Sequence, residues 1–177
     1  MSNASLTLTQ RRFSSRDFEL RAGKAVVATL CWPGASSSLA IGKAINGEWS
    51  FNRVGVFKWR VIVREKGSLE DAAILKRSGW VGDSTVQFAS GRTFDWRTTD
   101  GWGTGWAFKD VDGRTLVGFK PGSEKLTDLF KFQVGLAIDY NAGKQPELSI
   151  LELLGCYMMV MSFECQLRIA HMYMMHP

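Results

Sequence analysis

The stretch Pro146-Glu-Leu-Ser-Ile-Leu-Glu-Leu-Leu-Gly-Cys-Tyr-Met-Met-Val-Met-Ser-Phe163 decides how this chain folds. It is apolar on nearly every side, whereas almost everything before it reads as short strands. A helix that is apolar all round must lie in a large protein core or in a membrane. Pro146 suits the first helical position, where its missing N–H costs nothing, and Glu147 suits the positive end of the helix dipole. The run from 150 to 163 is shorter than the roughly 20 apolar residues that span a bilayer, and Glu152 interrupts it. It therefore reads as a buried core helix, and the question becomes what surrounds it.

Working outward, one unit recurs: an alternating run, a turn containing Gly and a polar residue, and a second alternating run. It occurs in residues 18–30 around Ala22-Gly23 and in 39–51 around Asn46-Gly47, the latter a strong short hairpin signal. It returns in 86–96 around Ser90-Gly91 and in 106–119 around Asp112-Gly113, where both second arms open Gly-Arg-Thr. Residues 56–64, 73–76 and 130–138 are further strand candidates. Counting arms predicts ten to twelve strands at the spacing of an all-β meander.

Glycine fills every second position of Gly101-Trp-Gly-Thr-Gly-Trp106. A period-2 strand there has a face without side chains, where a helix can lie close. The connections 34–38, 66–71 and 121–128 read as loops rather than domain boundaries, because strands resume after each. The expected organisation is a flexible tail over 1–12, one domain over 13–163, and a tail or helix extension over 164–177.

Each strand hides one face and the helix must hide all of its surface. A closed antiparallel β-barrel of about twelve strands wrapped around a central hydrophobic C-terminal helix satisfies both demands and removes exposed strand edges. An eight-stranded barrel fills with its own side chains, whereas one of about twelve needs a plug.

Composition agrees with one globular domain. The 177 residues are 45% hydrophobic and 22% charged, with seven Trp, eleven Phe and eighteen Gly, a bias toward strands and tight turns. The net charge of +5 is spread without a basic run, which argues for a solvated surface and against a nucleic-acid partner. Cys31, Cys156 and Cys165 form no Cys-x-x-Cys pair, so neither a disulfide framework nor a zinc ribbon is expected. That usage and the absence of an apolar stretch after a basic start suit a cytoplasmic protein without a signal peptide.

The repeated hairpin arms, such as Gly91-Arg-Thr-Phe-Asp-Trp-Arg97 and Trp106-Ala-Phe-Lys-Asp-Val-Asp-Gly-Arg-Thr-Leu-Val-Gly-Phe119, followed by the helix over 148–161, resemble the tubby C-terminal-like superfamily. That group includes the plant LURP-one-related proteins and the phospholipid scramblases, and the likeness covers about 13–163. It implies a twelve-stranded barrel around a hydrophobic helix. Tubby proteins bind phosphoinositides through surface Lys and Arg, but no such pocket matches here residue by residue. The Pro-rich arm and Cys cluster of the scramblases are absent.

No catalytic constellation is visible, so an enzyme is not expected. His171 and His176 both lie in the tail, and no nucleophile elbow, His-Glu-x-x-His or phosphate-binding loop occurs. Asp110 and Asp112 have the oxygens for Ca²⁺, yet Asp112-Gly113 is explained by hairpin chemistry; no metal and no cofactor is expected. The best recognition surface is the basic-aromatic run 57–64. In a strand Lys58, Arg60, Ile62 and Arg64 share one face, opposite Phe57, Trp59, Val61 and Val63. With Arg53, the cations Lys58, Arg60 and Arg64 are the candidate contacts for anionic lipid head groups.

Three functions follow from the three places the helix can occupy. If it fills the barrel, the chain is a non-catalytic binding or scaffold domain, cytoplasmic and peripheral to the membrane, whose partner is anionic lipid or another protein. If it lies outside, the barrel encloses a small apolar ligand, as lipocalin-type proteins do. If it enters the bilayer, residues 148–163 are an anchor.

Overall fold

The computed structural model describes residues 4–12, 15–56, 58–77, 83–99, 105–122, 132–139 and 145–174. The strands are β1 (Ala4–Gln10), β2 (Asp17–Ala22), β3 (Ala25–Cys31), β4 (Leu39–Ala44), β5 (Gly47–Val54), β6 (Arg60–Glu65), β7 (Ala73–Arg77), β8 (Ser84–Phe88), β9 (Thr93–Thr98), β10 (Trp106–Lys109), β11 (Thr115–Pro121) and β12 (Gln133–Ile138). Each pairs antiparallel with its neighbours in sequence, and β1 pairs with both β2 and β12, closing the barrel. No edge strand is left, so every strand donates to a ladder on both sides. One helix, α1 (Leu148–Met174), follows.

The barrel and its central helix match the sequence expectation, and the four Gly-containing hairpins all form. Gly23, Gly91 and Gly113 adopt positive φ at their turns. The Asn46-Gly47 hairpin is built differently from the expected Asn-Gly turn. Its two-residue loop is Ile45-Asn46, since Ala44 pairs with Gly47, and neither has positive φ. A side chain on Gly47 would instead stand 2.6 Å from the Trp49 ring, so packing rather than turn geometry calls for glycine there.

The N-terminal tail expected over 1–12 is not one: Ala4–Gln10 is the closing strand. Leu6 and Leu8 point into the core between Ser5, Thr7 and Thr9, two apolar residues too few to register as a periodic run. At the other end α1 continues through the expected boundary at 163 to Met174. Gly101 and Gly103, the linker from 123 and Phe57 lie outside the described residues. Gly105 does not meet the helix, because a side chain there would strike Thr99. The close approaches fall at Gly42, beside Phe51 and Leu153, and at Gly155, beside Phe119.

Inward residues alternate along each strand, for example Phe18 and Leu20, Val61 and Val63, and Phe94 and Trp96, and all are buried. They close on Leu151, Leu153, Leu154, Cys156, Tyr157 and Val160 of α1, which are also buried. At 1.5 Å per residue the helix is about 40 Å long, while the longest strand, eight residues, spans about 26 Å. The helix therefore outruns its wall, and from Ser162 onward nearly every described side chain is exposed.

Glu–Arg pairs hold α1 where it enters and where it leaves the barrel. Where it enters, buried Glu147 accepts from Arg92 in the β8–β9 turn, and Arg92 also donates to Gln145. Where it leaves, Arg16 holds Glu164 through Nε and Nη2, both at 2.7 Å. The same guanidinium donates to the carbonyls of Gly34, Ala35 and Ser37 and lies 4.9 Å from the Trp32 ring. Between them the Tyr157 hydroxyl donates to the Ser38 carbonyl at 2.6 Å while its ring stacks on Trp32.

Candidate functional site

The meander puts the β1–β2, β3–β4 and β5–β6 connections at the end of the barrel where α1 emerges. At this mouth the inward pattern of β5, Trp49-x-Phe51-x-Arg53, ends in a cation. Arg53 pairs across the ladder with inward-facing Val61, so its side chain belongs to the inner face. It lies 5.1 Å from the ring of Trp59, a cation–π contact that offsets part of the cost of bringing a charge toward the core. Among the described residues no carboxylate lies within salt-bridge distance of Arg53.

The other cations proposed from sequence are distributed differently. Lys58 sits exposed in the β5–β6 connection and Arg60 exposed on the outer face at the start of β6, opposite Lys76 of β7. Arg64 is on the same outer face but about 13 Å further along, toward the opposite end, where its Nε donates to Asp71 at 2.7 Å. The four candidates therefore do not form one surface. Lys58 and Arg60 share the rim with Lys76, Arg53 looks inward beside them, and Arg64 is paired elsewhere.

Two adjoining cavities flank α1 at this mouth. One, of about 360 Å³, is lined by Arg16, Ser37, Ser38, Arg53, Glu164 and Arg168 among others. The second, of about 310 Å³, lies between α1 and the wall, with Arg53, Trp59, Arg77, Trp96, Trp106, Met158 and Met161 in its lining. Arg53, Met161 and Cys165 border both. Trp96 and Trp106 stack with ring centroids 5.4 Å apart. Beyond the mouth the helix presents Phe163, Leu167, Ile169 and Met172 to solvent.

Titratable groups along the helix differ by depth. Burial pushes the Cys156 thiol upward, with nearby Glu152 adding to the shift, so Cys156 is an unreactive core residue. Burial also holds the Tyr157 phenol protonated, pushed up to about 12, as its role as donor to Ser38 requires. Glu152 is pushed up to about 7 by burial, from an ordinary value of 4.5. Its protonated form is favoured by the fold, so that contribution is complete below pH 4.5 and is lost as pH rises through 7. Glu152→Gln is therefore expected to match the parent near pH 4 and to exceed it by roughly 2 kcal/mol at pH 8 in urea unfolding, a figure discounted for partial exposure.

Asp110 caps its own turn: Oδ1 accepts from the amides of Asp112 at 3.0 Å and Arg114 at 2.9 Å. Among the described residues no group of three or more His, Cys, Asp and Glu side chains is placed to hold a metal. His176 lies outside the described residues. The Arg16–Glu164 clamp and the Arg53–Trp59 pair carry no sequence signal in their spacing, except that the parity of Trp49, Phe51 and Arg53 marks Arg53 as inward.

No protein-family model, curated protein or solved structure matches the chain.

Proposed function

We propose that this chain is a non-catalytic binding domain of the tubby-like type that docks by its helix-exit mouth on membranes bearing anionic phospholipid head groups, from the cytoplasmic side. The observation that carries the reading is the juxtaposition at one end of the barrel. The exposed apolar side chains Phe163, Leu167, Ile169 and Met172 leave the barrel at the end whose rim carries Lys58, Arg60 and Lys76, with Arg168 on the helix itself. Apolar groups that enter the interface, flanked by cations that face lipid phosphate, are the combination an anionic bilayer surface selects.

The other two functions derived from helix position are supported less well. An apolar ligand enclosed in the lumen requires the helix outside, and residues 150–160 fill the lumen. Leu148–Ala170 is long and apolar enough to cross a membrane by length and composition alone. Its first half, however, makes the barrel core, and removing it would leave that core empty.

Vesicle sedimentation tests the reading. Saturable binding to phosphatidylserine and phosphoinositide vesicles is expected, weakening as salt rises. At about 1 kcal/mol per basic residue, the Lys58→Glu, Arg60→Glu, Lys76→Glu triple variant should bind roughly 100-fold more weakly. Arg64→Glu, at the far end, should bind as the parent does. No binding to any anionic vesicle at low salt, or equal losses from the rim triple and from Arg64→Glu, would remove the proposal.

A further inference from the structure

We propose that the groove between α1 and the wall from β5 to β10 is a binding site for a single-chain anionic amphiphile, separate from docking on a bilayer. Arg53 supplies the anchor. It is a half-buried guanidinium at an inward strand position, held over Trp59, with no carboxylate in reach among the described residues. A cation so placed gains from a ligand anion brought into the same low-dielectric space. Glu164, the acid bordering the neighbouring cavity, is already held by both Nε and Nη2 of Arg16.

The rest of the groove suits an alkyl chain. Trp96, Trp106, Met158 and Met161 supply its apolar lining beside Arg53 and Arg77, and thioethers adapt to irregular chains. At about 310 Å³ it lies at the small end of the roughly 300–1,000 Å³ of known ligand sites. That is room for one short chain and not for the two of a bilayer lipid. The neighbouring cavity of about 360 Å³, bordered by Ser36, Ser37 and Arg168, leaves space for a phosphate or carboxylate head beside Arg53.

Titration calorimetry of the full chain with octyl phosphate, kept below its micelle concentration and without vesicles, tests this. One-to-one binding is expected, at least tenfold tighter than octanol and than inorganic phosphate. Arg53→Gln should lose at least tenfold in affinity. Without vesicles present, Cys165, exposed and bordering the groove, should be alkylated at least tenfold more slowly at saturation with octyl phosphate. Cys165→Trp, which fills the groove from an exposed position, should abolish binding with the thermal transition retained. Octanol or inorganic phosphate binding as tightly as octyl phosphate, undiminished affinity in Arg53→Gln or Cys165→Trp, or an unchanged alkylation rate of Cys165 at saturating octyl phosphate would overturn the proposal. A rim triple variant that binds vesicles as well as the parent, with octyl phosphate binding intact, removes only the membrane reading.

Discussion

Leu154→Asp is expected to abolish the folded state of the entire barrel. Leu154 is 0% exposed, on the helix face surrounded by the inner residues of the strands. The substitution removes a buried leucine, which alone costs about 2–5 kcal/mol on truncation. It also leaves an unpaired carboxylate in the core, worth several kcal/mol more. Against a total stability of roughly 5–15 kcal/mol the sum removes the folded state. Far-UV circular dichroism should lose its strand signal and urea unfolding its cooperative transition. A soluble variant retaining the parental near-UV spectrum of the Trp32, Phe51 and Tyr157 cluster would show that the helix is not the plug.

Gly155→Ala separates two physical effects of opposite sign. In a helix interior, alanine is favoured over glycine by about 1 kcal/mol. Here a Cβ would stand 2.1 Å from Phe119 Cζ, with two further ring carbons at 2.5 and 2.6 Å. The ring has nowhere to retreat, since Phe119 is itself packed on Trp96 at 5.2 Å and on Phe108 at 6.2 Å. Overpacking of this kind costs about 1–3 kcal/mol and sometimes more. With this much overlap a net loss of roughly 3 kcal/mol is expected in the urea midpoint. Phe119→Leu should recover much of it, appearing as a favourable coupling in a double-mutant cycle. A gain of stability in Gly155→Ala would mean that helix and β11 are not in contact.

The barrel was legible in the sequence because its instructions are local. A two-residue turn and the alternation on either side of it lie within about twelve residues, and a helix apolar on all sides demands a container whatever its distant partners are. What was not legible depended on pairing across the chain. Arg16 and Glu164 are 148 residues apart, and Arg92 and Glu147 are 55 apart, so no pattern joins them before the barrel closes. β1 was hidden by its brevity, with Leu6 and Leu8 its only large apolar residues.

The recognition surface was half legible for a related reason. Period-2 counting put Arg60 and Arg64 correctly on the outer face of β6. It could not say that the strand starts only at Arg60, nor that Asp71 captures Arg64. Arg53 belongs to a different strand and to the inner face, as the parity of Trp49 and Phe51 implies and the Arg53–Val61 register shows, so it does not share a surface with the cations of β6. The glycines followed the same rule: those that turn the chain were visible, while Gly155, which admits Phe119, became intelligible only with the helix in place.

The plug itself is tested most directly by the two cysteines of α1. Cys156 lies at 0% exposure inside the barrel and Cys165 is exposed beyond its mouth. Native-state thiol labelling, resolved by peptide mass spectrometry, should modify Cys165 at the rate of a free thiol. Cys156 should react only through global unfolding, slowed by the folding equilibrium constant of roughly 10³–10⁸ and accelerated in parallel with urea unfolding. Labelling of Cys156 as fast as that of Cys165, in a protein whose strands remain folded, would place the helix outside the barrel and contradict the account.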